Sequence, residues 1–337
     1  MANQVNPSDS ARLGHRFQVR VQNTVSSELG IISRLQRFEP SIRQETVVHY
    51  ELGTVDPVGY TAPPPQFQIA MEQNVYNLSP LDLIMAGKNP ASATTWNLAD
   101  YNVGNGPLTF YLLERDNSGV VQGEIETNGG ILTDVTWSWQ VGQAISGRYT
   151  GLCRVGKHWS AASAPHASWG AQDTSSQGGI MPKDARLFLT GNGATQRVFR
   201  IQSMTLRCTW RTQVVNELGN RQVVGILAEP PDVSLDVDIA YADHQPDDII
   251  YVTSGTNYYD YQNFNLMTGN AIRIYDPTAT EATSVLRAFS IENLVVQNAT
   301  PANAQVRGLA TKRYSFLRPK VTTANTGGVK FFIGDIV

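Results

Sequence analysis

The sequence has little charge and no strong excess of either sign. Charged residues make up 16% of the 337 residues and the formal net charge is −3, whereas an average soluble protein is roughly 25% charged. Proteins that grip phosphates are strongly basic, so this balance argues against a duplex-DNA or RNA binder of that kind. Hydrophobic residues, at 41%, suffice for a core, which excludes a disordered chain.

Long apolar runs and a cysteine framework are also missing. No run reaches the roughly 18 residues that span a bilayer, and the polar start lacks the apolar centre of a secretory signal. We therefore expect no membrane partner. Cys153 and Cys208 are too few for a disulfide scaffold, and we interpret them as free buried thiols of a protein made in a reducing compartment.

Sequence signatures of enzymes are absent as well. The five histidines fall in no metal-binding spacing, and no phosphate-binding glycine loop occurs. The stretch from His158 to His166 has no nearby carboxylate in the sequence, and Asp247-Asp248 is interpreted as charge at a helix N-terminus. We predict no catalytic residue, no metal and no cofactor, and hence no enzyme. The aromatic run 258–264 is a candidate glycan surface, although packing or a subunit interface explains it better.

Alternating hydrophobicity predicts a mainly β chain. Residues 15–25, 133–141 and 233–239 place apolar side chains at every second position, the pattern of strands with one buried face. Two short helices are predicted, at Ser79–Gly87 and Gln245–Tyr251, where a proline lies near the start of each segment.

The second half of the chain repeats the first. Residues 35–84 align with residues 201–250 at an offset of 166 without a gap, and the even offset keeps the same strand positions facing the core. Both copies read E-L-G, five residues, G, four residues, P-P. We therefore predict a flexible N-terminus (1–14), a first β domain (15–155), a linker or surface insertion (156–183) and a second β domain (184–337).

Each copy is predicted to contain a long hairpin that contacts a neighbouring subunit. Its glycines permit unusual backbone conformations, its prolines remove backbone donors, and its tip is too open for a two-residue turn. An ordinary surface loop is the alternative for either copy alone. The shared positions are Glu51, Leu52, Gly53, Gly59, Pro64 and Pro65 in the first copy, and Glu217, Leu218, Gly219, Gly225, Pro230 and Pro231 in the second.

The order of strand, E-L-G hairpin, P-P, strand, short helix and alternating strands resembles the tail tube proteins of long-tailed bacteriophages. Type VI secretion tubes and baseplate hubs share that fold. The resemblance covers about residues 15–155 and 184–337. It implies a mainly β fold with two tandem tail-tube-like β-sandwich or barrel domains, each with a long hairpin and one short helix. It also implies stacked rings around a channel that passes DNA without sequence-specific binding.

Six tube domains form a ring in that family, and most of its subunits carry one. Because this chain carries two, three chains would make a pseudo-sixfold ring, and a hexamer of chains is the alternative. The implied partners are further copies of the chain, a baseplate hub protein and a tail terminator protein, with a tape measure protein and a sheath as further candidates. The implied location is the virion tail, assembled in the cytoplasm of a bacterial host.

The polar face of the repeated strands is predicted to line the channel. Its acidic residues would then repel the DNA backbone; a solvated outer face is the alternative. These acids are Glu72, Asp232, Asp236 and Asp238. Two other functions stay open at this point: a baseplate hub or tail-completion protein of the same fold, and a β-rich glycan- or ligand-binding module.

Overall fold

The computed structural model is mainly β with two short helices, as the sequence predicts. The structure describes residues 17–32, 35–44, 46–51, 56, 59–74, 81–89, 92–104, 106–116, 118–166, 184–191, 193–218, 222–240, 247–253, 259–275, 285–303, 310–319 and 328–333. The predicted flexible N-terminus, 1–14, lies outside the described residues.

The largest sheet, which we call the central sheet, contains eight antiparallel strands. In spatial order they are β3 (Leu35–Arg43), β6 (Gln66–Asn74), β10 (Ser146–Cys153), β9 (Val121–Gln140), β14 (Ile201–Thr209), β17 (Asp232–Ala240), β22 (Thr311–Leu317) and β21 (Val285–Asn303). The sheet thus runs without interruption from the first half of the chain into the second.

Two further sheets flank the central one. The first contains β2 (Glu28–Ile31), β1 (Phe17–Asn23), β8 (Leu108–Arg115), the first part of β9 and β11 (Val155–Ser160). The second contains β13 (Ala194–Val198), β12 (Ala185–Gly191), β20 (Met267–Tyr275), the first part of β21, β23 (Val329–Ile333) and β7 (Thr95–Asn97). The long strands β9 and β21 therefore each belong to two sheets.

The crossing of β9 between two sheets occurs at a residue with a left-handed backbone, as does that of β21 at Asn293. Gly129 has φ +67°, and a Cβ there would lie 2.2 Å from Nε of Arg154. A side chain at this position would be strained by its positive φ and would require the Arg154 side chain to move.

Within the described ranges, three two-stranded hairpins and two helices complete the fold. The hairpins are β4 (Val47–His49) with β5 (Gly59–Thr61), β15 (Thr212–Val215) with β16 (Gly225–Ala228), and β18 (Tyr251–Thr253) with β19 (Tyr259–Phe264). The helices are α1 (Leu81–Met85) and α2 (Asp247–Ile250). Short 3-10 turns occupy Leu98–Asp100 and Ala161–Ser163.

The strand pairings of the first half recur in the second half. β3 and β6 have the same bounds as β14 and β17 after the offset of 166. The chain of neighbours β2-β1-β8-β9-β10-β6-β3 corresponds to β13-β12-β20-β21-β22-β17-β14. Even the bulge in β9 after Leu132 has its counterpart in β21 after Val296.

One face of the central sheet is the core, and period-two alternation explains why. Val135, Trp137 and Trp139 alternate with polar residues along β9, and Leu235 and Val237 do the same along β17. These side chains belong to one hydrophobic cluster that extends through both halves.

The predicted linker begins as a strand. Residues 155–160 form β11, which pairs with β9, and Nε1 of Trp159 donates to Oε2 of Glu126 at 2.8 Å. The expectation that His166 has no carboxylate nearby is also wrong, because its Nδ1 lies 2.5 Å from Oε1 of Glu124. Both carboxylates come from β9, far away in sequence. Residues 167–183, including Trp169, lie outside the described residues.

Both cysteines are buried and free. Burial raises the pKa of the Cys153 thiol to about 12 and also raises that of Cys208. A pKa of about 12 leaves a thiolate fraction of about 10⁻⁴ at pH 8, roughly a thousandfold below an ordinary cysteine.

We therefore expect a colorimetric disulfide reagent at pH 8 to label neither thiol of the native protein on the timescale that labels free cysteine. Both should react in denaturant, which is the control. Rapid labelling of one thiol per native chain would contradict the buried positions of Cys153 and Cys208.

Candidate assembly interface

A strand pair joins the two halves of the chain. β9 and β14 are antiparallel neighbours, with Asp134 opposite Thr209 and Gln140 opposite Ser203. Nε of Arg207 lies 2.5 Å from Oδ2 of Asp134, which also accepts from the Thr209 hydroxyl at 3.0 Å. The first half thus offers a strand edge that the second half occupies.

An aromatic cluster stands behind this strand pair. Trp137 and Trp96 of the first half contact Phe289 and Phe331 of the second, and the centroid of Phe331 lies 5.2 Å from Trp96 and 5.3 Å from Trp137. All four rings are fully buried. Pairs of this kind contribute about 0.5–1.5 kcal/mol each beyond area burial, so the cluster ties the halves together.

A buried ion pair completes the junction between the halves. Nη2 of Arg287, on β21, donates to Oδ2 of Asp82, on α1, and their side chains are 5% and 1% exposed. The Tyr149 hydroxyl donates to the other carboxylate oxygen at 2.9 Å. Burial, followed by the charge of Asp82, raises the pKa of Tyr149 well above its ordinary value. Among the residues that the structure describes, the cation paired with Asp82 therefore comes from the other half.

The hairpin of the second half, β15–β16, packs on the first half. Val223 and Ile226 form a small buried cluster with Ile131, and Leu152 packs against it. Nη1 of Arg154 donates to the Val224 carbonyl at 3.0 Å. Of the predicted hairpin residues, Gly225 and Pro231 are buried, Glu217, Leu218 and Pro230 are exposed, and Gly219 lies outside the described residues.

The hairpin of the first half, β4–β5, is exposed although it is apolar. Val48 is 43% exposed and Tyr60 is 74% exposed, and they correspond to Val214 and Ile226 of the docked hairpin. Of the predicted residues here, Glu51 and Gly59 are exposed, Pro64 and Pro65 are half-buried, and Leu52 and Gly53 lie outside the described residues. The first hairpin thus exposes the apolar positions that the second hairpin buries against the first half.

The two outer edges of the central sheet have no strand beside them in the part of the chain that the structure describes. β3 pairs on one side with β6, and the second part of β21 pairs on one side with β22. β3 corresponds to β14 and β21 to β9, the two strands that meet inside the chain. The two outer edges of the central sheet are thus the counterparts of the two strands that meet inside the chain.

The second face of the central sheet is mainly polar, apart from the apolar positions of Leu152 and Leu317 near one end. Every strand contributes serine, threonine, asparagine, glutamine or charged side chains at alternate positions. Its acids are Glu39, Glu72, Asp134, Asp232, Asp236 and Asp238, and its bases are Arg37, Arg43, Arg148, Arg207 and Arg313. The four acids singled out from the sequence thus share one face.

Most of these acids have a cation near them within the same sheet. Nε of Arg313 lies 2.6 Å from Oδ1 of Asp238, and this hydrogen bond lowers the pKa of Asp238. Arg211 lies 3.6 Å from Asp232, and Glu72 stands opposite Arg148 in the strand register. The sequence argument missed Arg148 and Arg313 because they lie on strands outside the gapless repeat.

Asp247 and Asp248 lie in the first turn of α2, where the sequence predicts helix N-terminal charge, but Asp247 also has a buried partner. That carboxylate is 1% exposed, and it accepts from Nζ of Lys312 and from the hydroxyl of Tyr314, each at 2.5 Å. Asp82 likewise serves a buried ion pair. The signal available in the sequence was an aspartate in each of two short apolar helices.

Other kinds of site find little support among the residues that the structure describes. No group of three or more His, Cys, Asp or Glu side chains is placed to hold a metal ion there. In the same ranges, no helix is long and apolar enough to cross a membrane. The side chains of 258–263, most of the aromatic run, lie outside the described part.

No protein-family model and no curated protein matches the sequence. Two of the solved structures that share partial likeness come from the anti-feeding prophage. A chain of the anti-feeding prophage baseplate is 14% identical with a TM-score of 0.33, covering 48% of this chain and 99% of its own. A chain of the same particle's tube-terminating cap is 13% identical with a TM-score of 0.32, covering 48% of this chain and 96% of its own. At TM-scores this low we draw nothing further from either likeness.

Replacing Arg287 by Met should destabilise the chain by about 3–5 kcal/mol, because the Asp82 carboxylate stays buried without its cation. Adding Asp82→Asn should recover most of that loss, since both charges are then gone. Urea denaturation of the two single variants and the double variant measures this coupling.

Arg313→Met is the matched control. That arginine is paired with Asp238 but exposed, so its loss should cost less than about 1 kcal/mol. Equal effects of Arg287→Met and Arg313→Met would contradict a buried junction between the halves.

Proposed function

We propose that this chain is a structural subunit of a phage-tail-like tube, in which three chains close into a ring of six β domains. The observation that carries the proposal is the β9–β14 junction inside the chain, together with the two unmatched edges, β3 and β21, that correspond to its two sides. Joining β21 of one chain to β3 of the next repeats the junction already present.

The register of the β9–β14 junction predicts the register of the proposed β21–β3 junction between chains. Val135 stands opposite Cys208, and Asp134 stands opposite Thr209. The corresponding residues are Ala299 and Asn298 on β21 and Ile42 and Arg43 on β3. We therefore place Ile42 of one chain opposite Ala299 of the next.

The exposed hairpin then acquires a partner. Ile131 and Leu152, which receive the second hairpin, pair with each other across β9 and β10. Val295 and Leu317 form the corresponding pair across β21 and β22, and both are half-buried in the single chain. The first hairpin, with Tyr60 in the place of Ile226, fits this surface on the next chain.

Closure of the ring also explains why one face of the central sheet is apolar and the other is polar. Three chains bring twenty-four strands, since each central sheet has eight. Strands about 4.8 Å apart and tilted by about 40° then enclose a barrel about 48 Å across between backbones. The flanking sheets cover the core face, so the polar face is left to line the channel.

A polar lining with matched charges suits passage of DNA. Each cation offered to a phosphate adds affinity, and here arginines such as Arg207 and Arg313 already have carboxylate partners within the sheet. DNA would pass without sequence-specific binding. The partners of such a tube are further copies of the chain, a baseplate hub and a tail terminator, with the virion tail as its location.

The proposed register predicts a specific cross-link between chains. Ile42→Cys combined with Ala299→Cys should give interchain disulfides under mild oxidation of assembled protein, because directly opposed strand residues meet the Cα separation that a disulfide needs. The denatured, non-reduced product should run as linear or circular species of up to three chains.

The matched control is Ile42→Cys with Thr300→Cys, one residue out of register and on the opposite face. The native thiols are buried and should not interfere. Equal cross-linking by both pairs, or cross-linked species well beyond three chains, would contradict the proposed register or ring size.

Corresponding substitutions in the two hairpins should have opposite effects. Tyr60→Asp should abolish rings while leaving the thermal stability of the single chain unchanged, because that side chain is 74% exposed. Ile226→Asp should lower stability, because it buries a charge at a position that is 2% exposed. Thermal unfolding and electron microscopy of both variants measure this, and normal rings from Tyr60→Asp would contradict the proposed contact.

A further inference from the structure

We propose that two buried carboxylates, Asp82 and Asp247, form a charge code that lets each half of the chain dock only on the unlike half. The inference rests on the ring proposed above, in which junctions inside a chain alternate with junctions between chains. It concerns how those two kinds of junction differ.

The two carboxylates occupy equivalent places in the fold, beside matching tyrosines, although the offset of 166 pairs Asp82 with Asp248 in the sequence. Asp82 accepts from the hydroxyl of Tyr149, and Asp247 accepts from the hydroxyl of Tyr314. Tyr149 stands between Met71 and Val135 in the central sheet, and Tyr314 stands between the corresponding residues of the second half, Val237 and Ala299. Each half thus holds one buried carboxylate hydrogen-bonded to a tyrosine at the equivalent position of its sheet.

The cation that neutralises each carboxylate comes from a different source. Asp82 receives Arg287 from the other half of the chain, whereas Asp247 receives Lys312 from its own half, with side chains 3% and 1% exposed for that pair. The pocket of the first half therefore needs a cation from the domain that docks on it. The pocket of the second half already contains one.

Glycines occupy the two corresponding positions in the first half. Lys312 stands opposite Ile239, and the first-half residue in that place is Gly147, opposite Gln73. Arg287 stands opposite Ile274, and the first-half residue in that place is Gly123, opposite Glu114. Where one half provides a cation, the other half has no side chain.

Unlike contacts are therefore neutral and like contacts are not. A second half docked on a first half brings Arg287 to Asp82, and a first half docked on a second half brings Gly123 to a pocket that is already paired. A second half docked on a second half would bury two cations with one carboxylate. A first half docked on a first half would leave Asp82 without a cation, and an unpaired buried charge is strongly unfavourable.

The source of the cation that neutralises Asp247 can be changed by mutation in the full chain. Lys312→Met makes the second pocket dependent on an incoming cation, and Gly123→Arg supplies that cation from the next chain. We expect each single variant to lower the yield of rings at least about tenfold, and Lys312→Met with Gly123→Arg to restore it to within about twofold of the unmodified chain. Negative-stain class averages and native mass spectrometry count the rings.

Gly123→Met is the matched control for size at position 123. A Cβ there lies 3.1 Å from Nε2 of His158, a tight contact that any side chain shares. Lys312→Met with Gly123→Met should not form rings. If Lys312→Met prevents folding, as a melt by circular dichroism would show, Lys312→Met with Asp247→Asn removes both charges. That pair should fold and form rings, and adding Gly123→Arg to it should then abolish them.

The outcomes separate this inference from the proposed function. If the unmodified chain forms no ring under conditions that nucleate assembly, the proposed function fails. If it forms rings but Gly123→Arg rescues Lys312→Met no better than Gly123→Met does, the ring stands and the charge code is overturned.

Discussion

A strand with an open edge exposes a row of backbone donors and acceptors, and a soluble protein must cover, blunt or pair that edge. In this chain the edge of β9 is paired by β14, which joins the two halves into one central sheet. The aromatic cluster around Phe331 and the docked hairpin at Ile226 add further contacts between the same two halves. Extending the same pairing to β3 and β21 accounts for the exposed apolar hairpin and for the covered core face, without any contact of a new kind.

The junction inside the chain also differs from the one proposed between chains. Inside, Arg287 and Asp82 are buried together, and removing either partner would strand a charge in the core. Between chains, Asp247 already has Lys312, so docking moves no charge into the interior. We infer that the first junction is permanent, and that the second can form and separate during assembly at a lower desolvation cost.

Sequence patterning predicted the mainly β fold and its strands well, because alternation records which side chains face the core. It placed β3, β6, β14 and β17 and both helices. It could not show that Arg287 reaches Asp82, since 205 residues separate them. For the same reason it missed the arginines near Asp238 and Glu72. It also assigned most of β11 to a linker, although Trp159 of β11 stands opposite Glu124 of β9. Pairing between distant strands is a property of the folded sheet and leaves no local pattern.

The most direct test of the central claim is a count of chains and a symmetry average for assembled rings, by electron microscopy together with native mass spectrometry. The account predicts hollow rings of three chains, with threefold symmetry, near-sixfold appearance and β3 of each chain beside β21 of the next. Rings of six chains, or rings whose subunits meet through the flanking sheets while β3 and β21 stay apart, would contradict it.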